Sequence, residues 1–267
     1  MDAFTQLTSW AHEQPLHICI DLASAPDGLR QVTSSKQPQG AFNLFQDAGT
    51  TDASAVAPWL LPVDPGVLDK WLPRSYHLAT TAPAVTWIFG DLTTPELAKR
   101  LVRRLDVELG DGTAFMLRFF DPRILAELND CLSQELAAQY FSIGSHWAYL
   151  NRDLGLNHVG ADTQPDSDPL LSPIVLTGVA EQALMLASEA GQTLNETLQR
   201  WPDDLLKRSP QARFALSKQA CFHSENLGLS SLADKVRLLM LAAGEEDAFF
   251  SSQRWVANEL SLKSGQH

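Results

Sequence analysis

Strict alternation of apolar and polar side chains over residues 16–22 predicts the first β-strand of the chain. One face of this strand is apolar and consists of Leu16, Ile18, Ile20 and Leu22. The other face carries His17, Cys19 and Asp21. These three are possible metal ligands, but they lie about 7 Å apart along a strand, too far to meet one ion without a bulge. We therefore expect a partly covered second face, with Asp21 fixing a loop at the end of the strand.

Three further segments of the first half are predicted to be extended. Residues 85–89 are predicted as a buried strand. Residues 31–58 are rich in Ser, Thr, Gln, Gly and Ala, which favours a loop around one short strand at 42–45. Residues 57–62 are apolar, but prolines at positions 58 and 62 confine this segment to a sheet edge or a short extended piece.

A helix with a basic side is predicted between Pro95 and Leu105. Thr93 supplies an N-cap hydroxyl, Pro95 lies in the first turn, and leucines recur at i+4 spacing up to Leu105. The opposite side is predicted to carry four positive charges, from Lys99, Arg100, Arg103 and Arg104. In an acidic protein this cluster is a candidate contact for an acidic patch on a partner.

An arginine lies inside the second strand of a predicted β-hairpin. Asp111-Gly112 supplies the positive φ of a tight turn between strands at 107–109 and 114–120. Arg118 falls within the second of these strands, and a buried, unpaired charge there would cost several kcal/mol. We expect an acidic partner for Arg118, with Asp21 as one candidate because it ends a neighbouring strand.

The residues after the hairpin predict the start of a helix. Asp121 is placed as its N-cap and Pro122 in its first turn. Arg123 opposes the positive end of this helix, which indicates that it too has a specific acidic partner. We favour internal bracing by Arg118 and Arg123 over direct contact with a partner protein, and both interpretations stay open.

The second half of the chain is predicted to be helical. Prolines at positions 165, 169 and 173 bracket an acidic, polar stretch typical of a linker, and beyond it apolar residues recur at helical spacing with no strand pattern. We predict an α+β fold in three parts. Residues 1–160 form a mixed α/β lobe with a sheet flanked by helices, residues 161–173 a linker, and residues 174–267 an all-helical lobe.

The composition is that of a globular protein with few charges. Of 267 residues, 45% are hydrophobic and only 19% are charged, which leaves more neutral surface than a free monomer requires and favours a protein partner. The formal charge of −12 would repel phosphate backbones and anionic lipids. We therefore expect neither nucleic acid nor a membrane as a partner.

No motif for catalysis, cofactor binding or metal binding is found in the sequence. Gly144-Ser145-His146 lacks the flanking glycine and the preceding strand of a nucleophile elbow, and is predicted as a turn. Three scattered cysteines favour a reducing compartment over a disulfide framework. With no signal segment and no apolar stretch of bilayer length, we expect a cytoplasmic protein. Because no motif is found, we also expect no catalytic, cofactor or metal site.

Residues 16–150 resemble the effector adaptor, or chaperone, family of bacterial type VI secretion. Members carry an Arg-Phe-aromatic-Asp-Pro-Arg-x-Leu signature after a basic helix and an Asp-Gly hairpin. Here the signature runs from Arg118 to Leu125, and the other two features precede it in the same order. The first strand, ending in Asp21, and residues 57–62 resemble two further blocks of the family.

The resemblance implies a non-enzymatic, cytoplasmic bacterial adaptor. Such a protein binds a toxic effector through the effector's N-terminal region and loads it onto the valine-glycine-repeat spike protein. The expected signature or partner-binding residues are Asp21, Lys99, Arg100, Arg103, Arg104, Arg118, Asp121 and Arg123. Two other classes stay open: an immunity protein that blocks a toxin, and a hydrolase with an unrecognised site assembled from distant residues.

Overall fold

A mixed helix and strand region is followed by a helical region in the computed structural model of the chain. The structure describes residues 2–46, 56–160, 167–201, 203–244 and residue 250. The chain divides into two units, Met1–Glu181 and Gln182–His267. The predicted α+β class is confirmed, with strands in the first unit and helices in the described part of the second.

The strands belong to two sheets of the first unit. In chain order they are β1 (Leu16–Asp21), β2 (Phe42–Asn43), β3 (Pro58–Val63), β4 (Val85–Phe89), β5 (Asp106–Leu109), β6 (Ala114–Met116), β7 (His146–Leu150), β8 (Leu156–Val159) and β9 (Ile174–Leu176). One sheet has the order β2-β3-β1-β4-β7-β8 and is antiparallel throughout. The other has the order β6-β5-β9, with β6 antiparallel and β9 parallel to β5.

The helices follow the apolar periodicity of the sequence. In chain order they are α1 (Ala3–Glu13), α2 (Gly28–Thr33), α3 (Pro65–Thr81), α4 (Thr94–Arg103), α5 (Pro122–Cys131), α6 (Gln134–Tyr140), α7 (Val179–Arg200), α8 (Asp203–Leu206), α9 (Pro210–Asn226) and α10 (Leu232–Ala243). Within the part of the chain that the structure describes, no helix combines the length and the apolar character needed to cross a membrane.

Strand β1 lies inside the larger sheet and is buried on both faces. Its apolar face packs against side chains of α1, α2 and α3, including Leu7, Leu29 and Leu72. The predicted partial exposure of its second face is wrong, because His17 is 5% exposed and Asp21 is fully buried. α4 and the residues after β6 cover that face, and the sequence of β1 alone contains no signal for this cover.

Strand β3 is not an edge strand, contrary to the prediction. It pairs along its whole length with β1, from Pro58 opposite Asp21 to Val63 opposite Leu16, and at two positions with β2. The oxygen of Pro58 accepts a hydrogen bond from Leu44 N at 3.0 Å, so Pro58 turns its missing donor towards β2 and away from β1. Both prolines are tolerated because β2 is only two residues long.

The smaller sheet corrects two further predictions. β6 ends at Met116 rather than continuing to residue 120, because the chain turns after Leu117 and buries consecutive apolar side chains where a strand would alternate. β9 lies within residues 174–267, which were predicted to be all helical. Its three residues are too few to show a period, and they pair with β5 inside the first unit, which extends to residue 181. Most of the predicted linker, residues 161–166, lies outside the described residues.

The second unit is built from helices around two apolar clusters. Ala190, Phe214 and Cys221 belong to one cluster of α7 and α9, and Leu205 and Leu239 belong to a cluster of α8, α9 and α10. The helical spacing predicted for this half of the chain is therefore confirmed in α7, α9 and α10.

Candidate functional site

Asp21 is the centre of the first cluster of predicted site residues. It ends β1, and its side chain is fully buried. Its carboxylate accepts hydrogen bonds from Ala23 N at 3.0 Å and from Ser24 Oγ at 2.7 Å. The predicted role of Asp21 in fixing the loop after the strand is thus confirmed.

Arg118 reaches Asp21 from the segment after β6. Its Nη2 donates to Asp21 Oδ2 at 2.9 Å, so the expected pairing of these residues is confirmed across 97 positions of sequence. The side chain of Arg118 is 47% exposed, so it is the carboxylate, and not the guanidinium, that is removed from water. The guanidinium also lies 5.5 Å from the centre of the Phe120 ring, within reach of a cation–π contact.

Asp121 and Arg123 form the second ion pair of the signature. Asp121 caps α5 by accepting from Arg123 N at 2.9 Å, as predicted. The guanidinium of Arg123 also donates two hydrogen bonds to the same carboxylate, from Nε at 3.0 Å and from Nη2 at 2.7 Å. These bonds raise the pKa of Arg123, and the nearby charge of Asp21 adds to the effect. The acidic partner expected for Arg123 is therefore its own N-cap residue.

The residues between these ion pairs bind the signature segment to the larger sheet. Phe119 is fully buried, and its ring lies 5.4 Å from that of Trp147 on β7. Phe120 is 2% exposed and contacts Phe45 edge-on at 6.0 Å. The signature therefore closes the second face of the sheet while Arg118 and Arg123 stay half exposed at its surface.

Three of the predicted basic residues lie on α4 and Arg104 is its C-cap, and the four do not form one surface, which corrects the predicted basic side. Arg104 is fully buried and Arg100 is 7% exposed. The guanidinium of Arg104 makes two bonds to Asp168, of 3.0 and 2.9 Å. It also donates to the carbonyl oxygens of Tyr140 at 2.6 Å and Gln139 at 3.1 Å. Arg104 is thus an internal anchor.

Lys99 and Arg103 alone of these four residues face solvent. Lys99 is exposed, and the Arg103 side chain is 43% exposed, with Nη1 3.5 Å from Asp168. The helical period would have separated the two pairs, because Arg100 and Arg104 stand three residues after Leu97 and Leu101 and so share their buried face.

Asp168 is the site residue that the sequence did not single out. It lies in the segment predicted as a linker, yet its side chain is only 4% exposed. Burial raises the pKa of this carboxyl, but the hydrogen bond and the charge of Arg104 outweigh that effect, so its pKa lies below the ordinary value. Leu170 N also donates to it at 3.2 Å. The only sequence signal was an acidic residue directly before a proline, within a stretch broken by prolines.

A serine and a histidine meet at the start of β7, a contact that bears on the hydrolase alternative. Ser145 Oγ lies 3.0 Å from His146 Nδ1, and His146 begins the strand rather than forming a turn. The hydroxyl also contacts Gln14 Oε1, and Phe89 O at 3.3 Å. The His146 ring stacks on Trp10 at 4.3 Å, and burial, with the charge of His158, lowers its pKa. These contacts join α1, β4 and β7.

The face of β1 that carries possible metal ligands is occupied by other contacts. His17 Nε2 lies 3.2 Å from Thr94 Oγ1, and burial lowers the pKa of His17 to about 4. Across the described ranges, no group of three or more His, Cys, Asp or Glu side chains is arranged to hold a metal ion.

Comparison with known families adds one finding to this geometry. Residues 16–139 match the model of a family described as a domain of unknown function (DUF4123). This segment contains both signature ion pairs and the basic residues of α4, whereas Asp168 lies outside it. Searches of curated proteins and of solved structures each return no match.

Proposed function

We propose that the protein is a cytoplasmic bacterial adaptor, or chaperone, for type VI secretion. In this proposal it binds the N-terminal region of a toxic effector and loads that effector onto the valine-glycine-repeat spike protein. It performs no chemistry itself. The proposal rests on the resemblance of residues 16–150 to the adaptor family, together with the arrangement of the signature in the structure.

One observation carries the proposal: two half-exposed guanidinium groups are held in place by buried carboxylates. Asp21 fixes Arg118 from the end of β1, and Asp121 fixes Arg123 from the start of α5. A fixed guanidinium loses little side-chain entropy when it binds a further acceptor, so such groups favour recognition of carboxylates and carbonyl oxygens on a partner. The role we assign to the signature is therefore both bracing and presentation.

Secretion and competition assays on the intact system test the proposed class. Deleting the gene in the native bacterium should abolish delivery of one effector while leaving the same cells resistant to that effector as recipients. An immunity protein would give the opposite result, because its loss makes recipient cells sensitive. Continued secretion of every effector after deletion would contradict the adaptor role.

Co-purification then tests the site. The full chain with Arg118→Ala should retain less effector than the wild type, whereas Arg30→Ala should retain the wild-type amount, because Arg30 is an exposed arginine on α2 that is not part of the signature. Both variants are first compared by thermal unfolding, so that loss of binding is not confused with loss of fold. Equal retention by Arg118→Ala and Arg30→Ala would remove Arg118 from the binding surface.

The contact between Ser145 and His146 is the specific observation that favours a hydrolase instead. Ser145→Ala removes the only hydroxyl of that pair and should leave effector delivery unchanged if the protein is an adaptor. Delivery lost in this variant, with the folded state intact, would support the hydrolase alternative.

A further inference from the structure

The outer edge of β6 is an open sheet edge. β6 ends the order β6-β5-β9, and no other described strand pairs with its outer side. All three of its residues, Ala114, Phe115 and Met116, are exposed. Exposed edges of this kind can pair with an added strand, and proteins usually protect them with charges, prolines or bulges. β6 carries none of these within its three residues.

The hydrogen bonds that flank β6 fix which backbone groups point outwards. On one side of it Leu109 N donates to Thr113 O at 2.9 Å, and on the other Leu117 N donates to Leu105 O at 2.7 Å. Bonded and non-bonded pairs alternate in an antiparallel ladder, so the pair formed by residues 115 and 107 is the bonded one. The N–H and C=O groups of residues 114 and 116 therefore point away from β5.

The solvent face of the small sheet combines apolar side chains with two carboxylates. Glu108 lies opposite both Ala114 and Val175, and Asp106 lies opposite Met116. Met116 and Val175 are 49% and 47% exposed. A cleft of about 370 Å³ opens here, lined by Asp106, Val107, Glu108, Ala114, Phe115 and Pro173.

The two carboxylates of this face have no cationic partner within the described part of the chain. The ion pairs of the first unit join other residues, and neither Asp106 nor Glu108 takes part in one. Two negative charges without a cationic partner among the described residues, beside an open edge, favour an incoming strand that carries positive charge.

We propose that the β6 edge binds an extended protein segment in which Lys or Arg alternates with apolar residues. The segment adds a fourth strand to β6-β5-β9 by pairing with the outward groups of Ala114 and Met116. Glu108 then lies two strand spacings, about 10 Å, from the added strand. A lysine side chain of that strand and the side chain of Glu108 can together span this distance across the small Ala114. A second copy of the chain would instead bring more carboxylates to this face. The inference does not depend on the adaptor role.

Peptide binding by the full chain tests the proposal. The probe is a fluorescent peptide of alternating lysine and valine. The control peptide is identical except that proline replaces its central valine, which interrupts pairing along the edge. We expect anisotropy to show binding of the first peptide and little of the second. We also expect hydrogen exchange to slow at the amides of Ala114 and Met116. Absence of binding by the alternating peptide would overturn the proposal.

Matched variants identify the surface. Glu108→Lys should weaken binding at least about tenfold, which corresponds to about 1.4 kcal/mol. Glu135→Lys, with the same charge change at an exposed position of α6, should change it by less than about twofold. Equal weakening by both variants would show non-specific attraction to an acidic protein and contradict the proposal.

Met116→Pro removes an outward N–H without touching the ladder to β5. It should abolish peptide binding while shifting the unfolding temperature little. Ala114→Arg places a cation beside Glu108 and blocks the space through which a lysine of the bound segment would reach that carboxylate. This variant should have the same effect on binding. Unchanged binding in both variants would overturn the edge as the site. A wild-type dimer that Met116→Pro dissociates would identify a second copy as the occupant instead.

Discussion

The guanidinium of Arg104 has no access to water, so its replacement removes hydrogen bonds from several groups inside the protein. Arg104→Ala removes two hydrogen bonds from the buried Asp168 carboxylate and one from the buried carbonyl oxygen of Tyr140. We expect a loss of about 3 to 5 kcal/mol of unfolding free energy, measured by urea denaturation. Arg103→Ala is the control, because a half-exposed partner contributes at most about 1 kcal/mol. Similar losses in the two variants would contradict the anchoring role of Arg104.

The pair formed by Arg118 and Asp21 is asymmetric, with a buried carboxylate and a half-exposed cation. Arg118→Ala leaves Asp21 with its bonds to Ala23 and Ser24, so the loss should be smaller than at Arg104, about 2 kcal/mol. Thermal unfolding measures this difference against Arg30→Ala, which should match the wild type. An unchanged melting temperature for Arg118→Ala would remove the bracing role and leave recognition alone.

At the scale of single elements, α4 shows how a local signal fixes a helix end. Thr93 and Glu96 form a capping box, with Glu96 accepting from Thr93 N at 3.2 Å. Thr93→Ala should lower the unfolding free energy by about 1 kcal/mol, measured by denaturant titration. Thr80→Ala on α3 is the control, because its exposed hydroxyl bonds only a carbonyl oxygen of its own helix. A loss at Thr93 no larger than at Thr80 would contradict the capping role.

Elements with a strong local pattern were predictable from the sequence, whereas the distant segments that bury their faces were not. β1, β4 and α5 were found because alternation, an apolar run or an N-cap and proline pair mark them within a few residues. β9 was missed because three residues cannot show a period.

The candidate site divides in the same way. The pairing of Arg118 with Asp21 was predictable because burial of a charge demands a partner near a strand end. The pairing of Arg104 with Asp168 was not, because Arg104 was assigned to a basic helix side and Asp168 to a linker, so neither was expected to be buried.

At the scale of the whole molecule, buried ionisable groups make the free energy of unfolding depend on pH. His17 has its pKa lowered to about 4 by burial, while the unfolded chain titrates near the ordinary value of 6.5. Between these values the unfolded state binds more protons, so stability is full above pH 6.5 and falls as pH decreases, by up to about 3 kcal/mol. Asp168, whose pKa is also lowered, adds to the loss at still lower pH.

Chemical denaturation at a series of pH values measures this dependence. His17→Gln should flatten the slope between pH 6.5 and about 4, although it lowers stability at neutral pH. His77→Gln, at an exposed position of α3, should keep the wild-type slope. Identical slopes in His17→Gln and the wild type would show that His17 is not the group responsible.

The prolines of β3 also bear on how the chain avoids self-association while it folds. β3 is apolar, and β2 covers only two positions of its outer side. Pro58 turns its missing donor to that side, and Pro62, four residues along the same strand, turns the same way. A neighbouring chain that approaches this side before β2 has docked therefore meets gaps in the row of donors it would need for cross-β growth. The prolines thus act as gatekeepers against aggregation, a protection that β6 lacks.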